Sequence, residues 1–441
     1  MLPGHLLAVA WPQGPEGRRH LIALVTPDDP KAEDTPQGAR SLYRIDPDRA
    51  GAPRKLLDGL PEEIDALAAL DLDGDGREEI LLGQPGKIYS AGSPDAATAP
   101  RLLLEADGLT LRWAGSPPVF QATEVGRLRT WTLTGGQMMP GPALDLPVHA
   151  AREAQALRLS SLPATPIALP GGGAPLQVVG PEDSGKLRLR TLLFDATGKR
   201  SDAWALLPGK EKVDSFRYLA LDGKPALLVT TSDAETIGVF AKQRLRLFSL
   251  AAGRSRSGEP PAVAFATESQ RWFPVEPVLL DLDRDGRDDL VVLQPEGLGG
   301  GDLVIDTFFG QGEGRFERPR RLKLGNLEAR AWIYGKDLTG DGIADLATFG
   351  KAGLSLFAGT ADPRESLLDR RPRKTLDLKG TQVTIGVTVS LGSEGLDAAT
   401  GSPGGLRGPT AEDLDADGRP EILLVSRSAG GRGRIVVVRL L

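Results

Sequence analysis

The sequence contains no cysteine and only three histidines among its 441 residues. The lack of cysteine excludes disulfide bonds, thiolate metal sites and a lipid-modified cysteine within this chain. Zinc and non-haem iron sites need several converging ligands, and most nucleophilic mechanisms need a histidine or a cysteine. The histidines (His5, His20 and His149) are scattered. The sequence therefore identifies no catalytic residue and favours a protein that is not an enzyme.

A surplus of positive charge and long apolar runs are also missing. Lys and Arg number 53 against 59 Asp and Glu, a net charge of −6. Without excess positive charge, binding to nucleic acid is not expected. No apolar run approaches the roughly 20 residues of a membrane span. Residues 1–11 lack the basic segment of a signal peptide, so no signal sequence is evident.

A repeated acidic pattern dominates what is present. Four stretches carry an oxygen-bearing side chain at positions 1, 3, 5 and 9 and a glycine at position 6. We call them loop 1 (71–79), loop 2 (281–289), loop 3 (337–345) and loop 4 (413–421). The oxygen-bearing residues are Asp71, Asp73, Asp75 and Glu79; Asp281, Asp283, Asp285 and Asp289; Asp337, Thr339, Asp341 and Asp345; Asp413, Asp415, Asp417 and Glu421.

This spacing suits a calcium ion. Calcium takes six to eight oxygen ligands at about 2.3–2.6 Å, and alternate residues of a tight loop can converge on one point. Glycine at position 6 permits the positive φ that such a loop needs. The backbone carbonyl of position 7 would add a ligand; the residues there are Arg77, Arg287, Ile343 and Arg419. The sequence predicts up to four calcium ions, one in each loop.

Two other interpretations of these loops compete with a calcium hairpin. Solvated Asp-Gly turns would need no metal, but closely packed acids repel one another without a cation. An EF-hand needs a carboxylate at position 12 and flanking helices. Position 12 is apolar or threonine in every loop (Leu82, Val292, Thr348 and Leu424), and short apolar runs follow position 9. The pattern therefore predicts strand–loop–strand units.

The pattern resembles the VCBS and FG-GAP repeats, which are related to those of the integrin α-subunit N-terminal propeller. The glycine-rich stretch 308–316 is similar to the hairpin that follows the acidic loop in VCBS repeats. Thr339 departs from the usual Asp or Asn at position 3. The resemblance implies an all-β fold: a single β-propeller over residues 1–441, with calcium in hairpin loops on one face.

The spacing of the loops predicts the number of repeats. The loops begin at residues 71, 281, 337 and 413, which fits a period of about 53 residues with units that lack the acids. A Gly/Ser-rich insertion at 392–408 within the last blade accounts for the longer final interval. The count predicts seven or eight four-stranded blades, with eight favoured, and the first and last segments are expected to share a blade. Asp222 marks one decayed unit, and the six tryptophans are expected to fill gaps between blades.

These features predict a calcium-stabilised binding or scaffold module whose partner is a protein or a glycan, alone or as a subunit of a larger assembly. Calcium loops of this kind favour a secreted, periplasmic or cell-surface location. Two alternatives stay open. One is a polysaccharide lyase or hydrolase, which needs acids converging in the central funnel. The other is a lectin, which needs an exposed aromatic ring.

Overall fold

The computed structural model describes the chain in segments, and every structural statement below concerns them. They comprise residues 5–14, 17–27, 38–45, 52–107, 109–114, 119–124, 127–134, 136–141, 143–145, 173–181, 187–195, 200–207, 211–222, 224–233, 240–249, 263–270, 276–296, 301–325, 327, 329, 331–350, 353–377, 410–427 and 433–439. These residues contain many β-strands and no α-helix, and all strand pairs are antiparallel. The all-β prediction is confirmed. No helix of the described segments is long and apolar enough to cross a membrane.

The first four sheets are built from strands that follow one another along the chain. Sheet 1 contains β1 (His5–Ala10), β2 (Leu21–Thr26), β3 (Arg40–Ile45) and β4 (Arg54–Leu60). Sheet 2 contains β5 (Ala66–Leu70), β6 (Glu79–Gln84), β7 (Lys87–Ser90) and β8 (Arg101–Glu105). Sheet 3 contains β9 (Leu109–Ala114), β10 (Val119–Glu124), β11 (Arg127–Thr134), β12 (Gln137–Pro140) and β13 (Leu144–Asp145). Sheet 4 contains β14 (Gly173–Pro181), β15 (Leu187–Asp195) and β16 (Arg200–Leu207).

The next four sheets follow the same rule. Sheet 5 contains β17 (Glu211–Leu221), β18 (Lys224–Asp233), β19 (Phe240–Ser249) and β20 (Val263–Gln270). Sheet 6 contains β21 (Glu276–Leu280), β22 (Asp289–Glu296), β23 (Asp302–Phe308) and β26 (Arg320–Leu324). Between β23 and β26, the hairpin β24 (Gly310–Gly312) and β25 (Arg315–Phe316) forms a separate two-stranded sheet. Sheet 7 contains β27 (Ala331–Lys336), β28 (Asp345–Gly350), β29 (Gly353–Phe357) and β30 (Lys374–Leu376). Sheet 8 contains β31 (Thr410–Glu412), β32 (Glu421–Arg427) and β33 (Gly433–Val438).

Each acidic loop joins the first two strands of its sheet. Loop 1 lies in sheet 2, and loops 2, 3 and 4 lie in sheets 6, 7 and 8. Position 9 is in every case the first residue of the second strand. The strand–loop–strand prediction is therefore confirmed, and the hairpin predicted at 308–316 is present as β24–β25.

The second strand of a sheet is buried on both faces, which explains its unbroken apolar sequence. In β2, Leu21, Ala23 and Val25 belong to a cluster with residues of sheet 8, whereas Ile22 and Leu24 belong to a cluster with sheet 2. Successive side chains of a strand point to opposite faces, so such a strand fills two interfaces at once. Equivalent clusters join sheet 2 to 3, sheet 5 to 6, sheet 6 to 7 and sheet 7 to 8.

The first and last sheets pack face to face. Leu414 and Leu423 of the last unit contact the cluster that contains Leu6 and Trp11. In the described segments β33 pairs only with β32, so the first and last segments do not share a sheet; they close against each other by packing. The number of blades and the single-domain boundary 1–441 remain predictions. The insertion predicted at 392–408 lies outside the described residues.

Three tryptophans confirm the expected role between units. Trp11, Trp131 and Trp332 are buried, and each lies in a cluster shared by two neighbouring sheets. A buried indole supplies a large apolar area at the interface. The side chains of Trp113, Trp204 and Trp272 lie outside the described part of the structure.

Candidate metal centres in the acidic loops

The first acid of every loop holds the loop closed. Its Oδ2 atom accepts a hydrogen bond from the N–H of the glycine at position 6, at 2.9 Å in loops 1 and 2, 2.6 Å in loop 3 and 3.0 Å in loop 4. These glycines have positive φ angles: 82° at Gly76, 82° at Gly286, 81° at Gly342 and 86° at Gly418. The requirement for glycine at position 6 is thus explained by backbone geometry.

Position 4 of each loop also has a positive φ, which the sequence did not predict. The residues are Gly74, Arg284, Gly340 and Ala416. Glycine in two of the four loops was the only signal. An L-residue with a side chain pays about 1–2 kcal/mol for this conformation. Loops 2 and 4 therefore carry backbone strain that loops 1 and 3 avoid.

The acids at positions 3 and 5 complete the frame. The position 5 carboxylate accepts the N–H of position 7 in every loop, at 2.8–3.0 Å. In loops 1, 2 and 4 the position 3 carboxylate accepts the N–H of position 5, at 3.2–3.3 Å. Backbone N–H groups thus fix one oxygen of each of these acids and limit where the other can point.

Three loops bring carboxylate oxygens close enough to share one cation. One oxygen from each of three acids lies within 4.8 Å of the other two in loops 1, 2 and 4. Two oxygens bound to the same calcium ion at about 2.3–2.6 Å can be no more than about 5 Å apart, so the spacing fits. The groups are Asp71, Asp73 and Glu79; Asp281, Asp283 and Asp285; Asp413, Asp415 and Glu421.

An additional observation in loop 4 favours a cation there. The Oδ1 atom of Asp413 is buried and has no hydrogen-bond partner in the described segments. A buried carboxylate oxygen normally has a partner, because leaving it without one is unfavourable. A metal ion bound at position 1 would satisfy this atom, so the residues of loop 4 fit the ion that the repeat pattern implies.

Loop 3 has the same backbone frame with fewer available oxygens. Its position 3 is Thr339, and its three acids do not form a group of the kind found in the other loops. Both oxygens of Asp345 accept backbone N–H groups, from Leu338 and Thr339 on one side and from Gly359 on the other. The conformation of loop 3 is therefore held more by hydrogen bonds from the backbone than that of the other loops.

The acid at position 9 has a different role according to its length. Asp289 accepts the N–H of Leu282 at 2.9 Å with Oδ2 and the N–H of Gly310 at 2.7 Å with Oδ1. Gly310 follows the third strand, so Asp289 ties the loop to that strand. Glu79 and Glu421 are one methylene longer; each accepts one loop N–H at 2.8 Å and still reaches the carboxylate group of its loop.

Burial raises the pKa of these position 9 acids. For Asp289 the pKa rises to about 6, chiefly through burial and with a contribution from Asp283 and Asp285, while the bonds from Gly310 and Leu282 oppose the shift. Burial also raises the pKa of Asp345, Glu79 and Glu421. Buried carboxylates surrounded by other acids disfavour ionisation, and a bound cation would offset this.

The loops of neighbouring sheets contact one another. Arg284 of loop 2 donates to the carbonyl of Gly342 in loop 3 at 2.7 Å. The Arg419 side chain of loop 4 lies so close to Gly340 that a Cβ there would meet its Nε at 2.7 Å. The N–H of Arg19, in the β1–β2 connection, donates to the carbonyl of Leu414 in loop 4 at 2.9 Å.

Two turns without the acidic pattern extend this row of contacts. Asp222, the predicted decayed unit, exchanges hydrogen bonds with Asp288 of loop 2 at 2.6 and 3.1 Å. Gln13 in the β1–β2 connection exchanges two bonds with Glu78 of loop 1, at 2.7 and 2.9 Å. Both turns therefore occupy the position that an acidic loop has in other sheets.

A shallow groove between sheets 1 and 2 is a second candidate site. Its volume is about 350 Å³, and its lining is mainly apolar, with Leu57, Ile64 and Tyr89. Its one carboxylate, Asp58, is bonded to Lys55 and Ser41, and the Lys55 contact lowers the pKa of Asp58. The groove is therefore mainly apolar, and its carboxylate is already paired.

Comparison with solved structures finds low similarity spread over most of the chain. A protein from Lactobacillus plantarum is 12% identical over 72% of this chain and 84% of its own, with a TM-score of 0.35. A hypothetical selenium-binding protein from Sulfolobus tokodaii is 13% identical over 73% and 81%, with a TM-score of 0.36. Extracellular domains 1–2 of Drosophila Semaphorin 1b are 8% identical over 80% and 86%, with a TM-score of 0.34. Similarity at this level says nothing about function.

Comparison of sequences points to a family. No curated protein matches the chain significantly. Residues 281–348 match the model of the FG-GAP-like repeat, and this segment runs from the first acid of loop 2 through loop 3 into β28. Loops 1 and 4 repeat the same spacing outside the matched segment. Residues 281–348 of the chain therefore contain an FG-GAP-like repeat.

Proposed function

We propose that this chain is a calcium-stabilised β-propeller that serves as a binding or scaffold module outside the cytoplasm. The architecture is supported by eight sheets of three to five strands in chain order. Hydrophobic clusters join sheet 1 to 2, 2 to 3, 5 to 6, 6 to 7 and 7 to 8, and sheet 8 to sheet 1. In this proposal each sheet is a blade. A closed ring removes the exposed sheet edges that would otherwise pair with other chains.

Calcium is the ion that these loops suit best. Their ligands are all oxygen, and the loop frame allows further ligands from backbone carbonyls such as those of Arg77, Arg287, Ile343 and Arg419. Magnesium prefers a near-octahedral shell that keeps several waters, which a loop rich in carboxylates favours less. Loops 1, 2 and 4 would hold an ion through the three acids grouped in each, and loop 3 through Asp337, Thr339, Asp341 and Asp345. The ion would supply positive charge, so its role is structural.

The proposed location follows from the ion. Extracellular calcium modules commonly bind with dissociation constants of about 10⁻⁴–10⁻³ M, which suffices where calcium is abundant. The exposed carboxylates of these loops fit an affinity of that order. We therefore assign the chain to the secreted, periplasmic or cell-surface proteins.

The observation that carries the proposal is the grouping of three carboxylate oxygens within 4.8 Å in three loops. By mass action, an ion that binds only the folded state adds about 2.7 kcal/mol per site at a hundredfold excess over its dissociation constant. At about 2.1 cal/mol/K of unfolding entropy per residue over 441 residues, this raises the melting temperature by about 3 °C per loop.

Scanning calorimetry in millimolar calcium and in excess EDTA tests this. The variant with Asp71→Asn, Asp281→Asn and Asp413→Asn should lose most of the calcium-dependent shift. Asp107→Asn, which removes one exposed acid outside the loops, should keep it. If the wild-type melting temperature is the same in calcium and in EDTA at low salt, the loops are ordinary turns and the proposal fails.

The partner is a protein or a glycan. Tyr89 in the groove between sheets 1 and 2 makes a lectin the second candidate, because an aromatic ring can stack on a sugar. Glycan-array binding that is lost in Tyr89→Ala, while the melting temperature is kept, would favour the lectin. If neither the wild-type chain nor the Tyr89→Ala variant binds any glycan, a protein partner is favoured.

A further inference from the structure

Two arginines contact the same atom in two different loops. In loop 2, Nε of Arg364 lies 2.6 Å from Oδ2 of Asp283. In loop 4, a terminal guanidinium nitrogen of Arg439 lies 3.2 Å from Oδ2 of Asp415. Both acids are at position 3, and in both the Oδ1 atom accepts the N–H of position 5. Both oxygens of each position 3 acid are therefore engaged by the chain itself.

The two arginines reach this atom by unrelated routes. Arg364 follows β29 in sheet 7 and crosses to sheet 6, whereas Arg439 directly follows β33 of the same sheet 8. Neither lies inside an acidic loop, so neither is part of the repeated pattern. The same contact at position 3 therefore forms from two different places in the chain.

Additional contacts hold each guanidinium in place. Arg364 also bonds Glu317 at 2.9 Å, and its guanidinium lies 4.5 Å from the centre of the Phe309 ring. Arg439 also bonds Oε1 of Glu421 at 3.1 Å. Since Glu421 belongs to the loop 4 carboxylate group, Arg439 engages two of its three members.

Loops 1 and 3 differ from this arrangement. In loop 1 the position 3 acid, Asp73, is exposed, and no Lys or Arg of the described segments forms an ion pair with it. In loop 3 position 3 is Thr339, which has no charge to pair. The arginine accompanies a position 3 carboxylate in loops 2 and 4, and the described segments place none at Asp73 of loop 1.

We propose that Arg364 and Arg439 are internal counter-charges that weaken divalent-cation binding at loops 2 and 4 and leave loop 1 as the tightest site. This rests on the calcium binding proposed above. A guanidinium next to the site repels a divalent ion and competes with it for the position 3 carboxylate. Two charges of +1 and +2 at about 6 Å in water repel enough to change affinity on the order of tenfold.

The three loops can be compared in full-length proteins that keep one grouped site each. All three proteins carry Asp337→Asn. The loop 1 protein also carries Asp281→Asn and Asp413→Asn. The loop 2 protein carries Asp71→Asn and Asp413→Asn instead, and the loop 4 protein carries Asp71→Asn and Asp281→Asn. Isothermal titration with calcium chloride measures each dissociation constant, and terbium luminescence gives an independent measure. Loop 1 should bind about tenfold more tightly than loop 2 or loop 4.

Substitution of the arginines then tests the cause. Arg364→Gln in the loop 2 protein and Arg439→Gln in the loop 4 protein should tighten binding about tenfold, whereas Arg364→Lys, which keeps the charge, should not. Arg320→Gln is the matched control, because its guanidinium lies 5.4 Å from the same Phe309 ring and has no loop acid as partner. Thermal unfolding in EDTA shows that each variant is folded.

The outcomes separate the two proposals. If folded loop 1, loop 2 and loop 4 proteins all bind no calcium, the proposed function fails and this inference fails with it. If they bind calcium equally and the glutamine variants change nothing, the inference alone is overturned. Weaker binding in Arg364→Gln would also overturn it, because the arginine would then order Asp283 for the ion.

Discussion

Asp289 offers a sharp test of how an acidic loop is joined to its sheet. The side chain is 1% exposed and accepts two backbone N–H groups, from Leu282 in the loop and from Gly310 beyond the third strand. Replacement by alanine removes the acceptor of the buried Gly310 N–H and of the partly buried Leu282 N–H. We expect Asp289→Ala to destabilise the protein whether or not calcium is present.

The magnitude follows from the two lost acceptors. A buried donor left without a partner costs about 1–3 kcal/mol, and more when the partner was charged. Two donors give about 2–6 kcal/mol. Part of this cost is offset, because the variant no longer buries a carboxylate whose pKa is raised. A net loss of about 2–4 kcal/mol corresponds to a fall of about 2–4 °C in melting temperature for a chain of this length.

Scanning calorimetry in EDTA and in calcium measures this loss. Asp285→Ala is the matched control: it is in the same loop, is exposed, and pairs with Arg287 through the backbone N–H and through the guanidinium at 3.9 Å. In EDTA the control should lose less than about 1 kcal/mol, because water can replace an exposed acceptor. If Asp289→Ala is as stable as Asp285→Ala in EDTA, the assignment of Asp289 as the tie to the third strand is wrong.

Three other substitutions test the fold. Ala416→Gly should stabilise the protein by about 0.5 kcal/mol in urea unfolding, because relief of the positive φ outweighs the added freedom of the unfolded chain; a loss would refute the strain. Gly359→Ala should destabilise by more than about 2 kcal/mol, because a Cβ would lie 2.4 Å from the Ala344 carbonyl oxygen, and wild-type stability would exclude that close approach. Trp11→Ala should lower the free energy of unfolding by about 3–5 kcal/mol. Leu102→Ala, at an exposed residue of β8, is the control and should lower it by less than about 1 kcal/mol. Equal effects would show that sheets 1 and 8 do not pack through Trp11.

The sequence predicted the loops well because their pattern is local. Spacing of acids, a glycine at position 6 and an apolar run after position 9 all lie within one strand–loop–strand unit, and the structure has that unit four times. The Gly/Pro punctuation also predicted strands in the region without acids. The positive φ at position 4 was not predicted, because two loops have Arg284 and Ala416 there instead of the glycine that would have indicated it.

Contacts between distant segments could not be predicted in the same way. Arg364 and Asp283 are 81 residues apart, and nothing in either stretch indicates that they meet. The choice between Asp and Glu at position 9 looked conservative, yet only the aspartates tie their loops to a glycine after the third strand. The packing of sheet 8 on sheet 1 also depends on the arrangement of all the intervening sheets, which local patterns do not specify.

The packing of the last sheet on the first has a consequence for synthesis on the ribosome. Sheet 1 emerges early, yet the face that carries Leu6 and Leu21 is covered only when Leu414 and Leu423 follow, near the other end of the chain. Until then a broad apolar surface faces solvent, and contacts of such long sequence separation form slowly. The apolar face of sheet 1 would therefore need protection, for example by a chaperone, until the last sheet has been synthesised. A chain whose first segment packs on the next one along the sequence would need such protection for a shorter time.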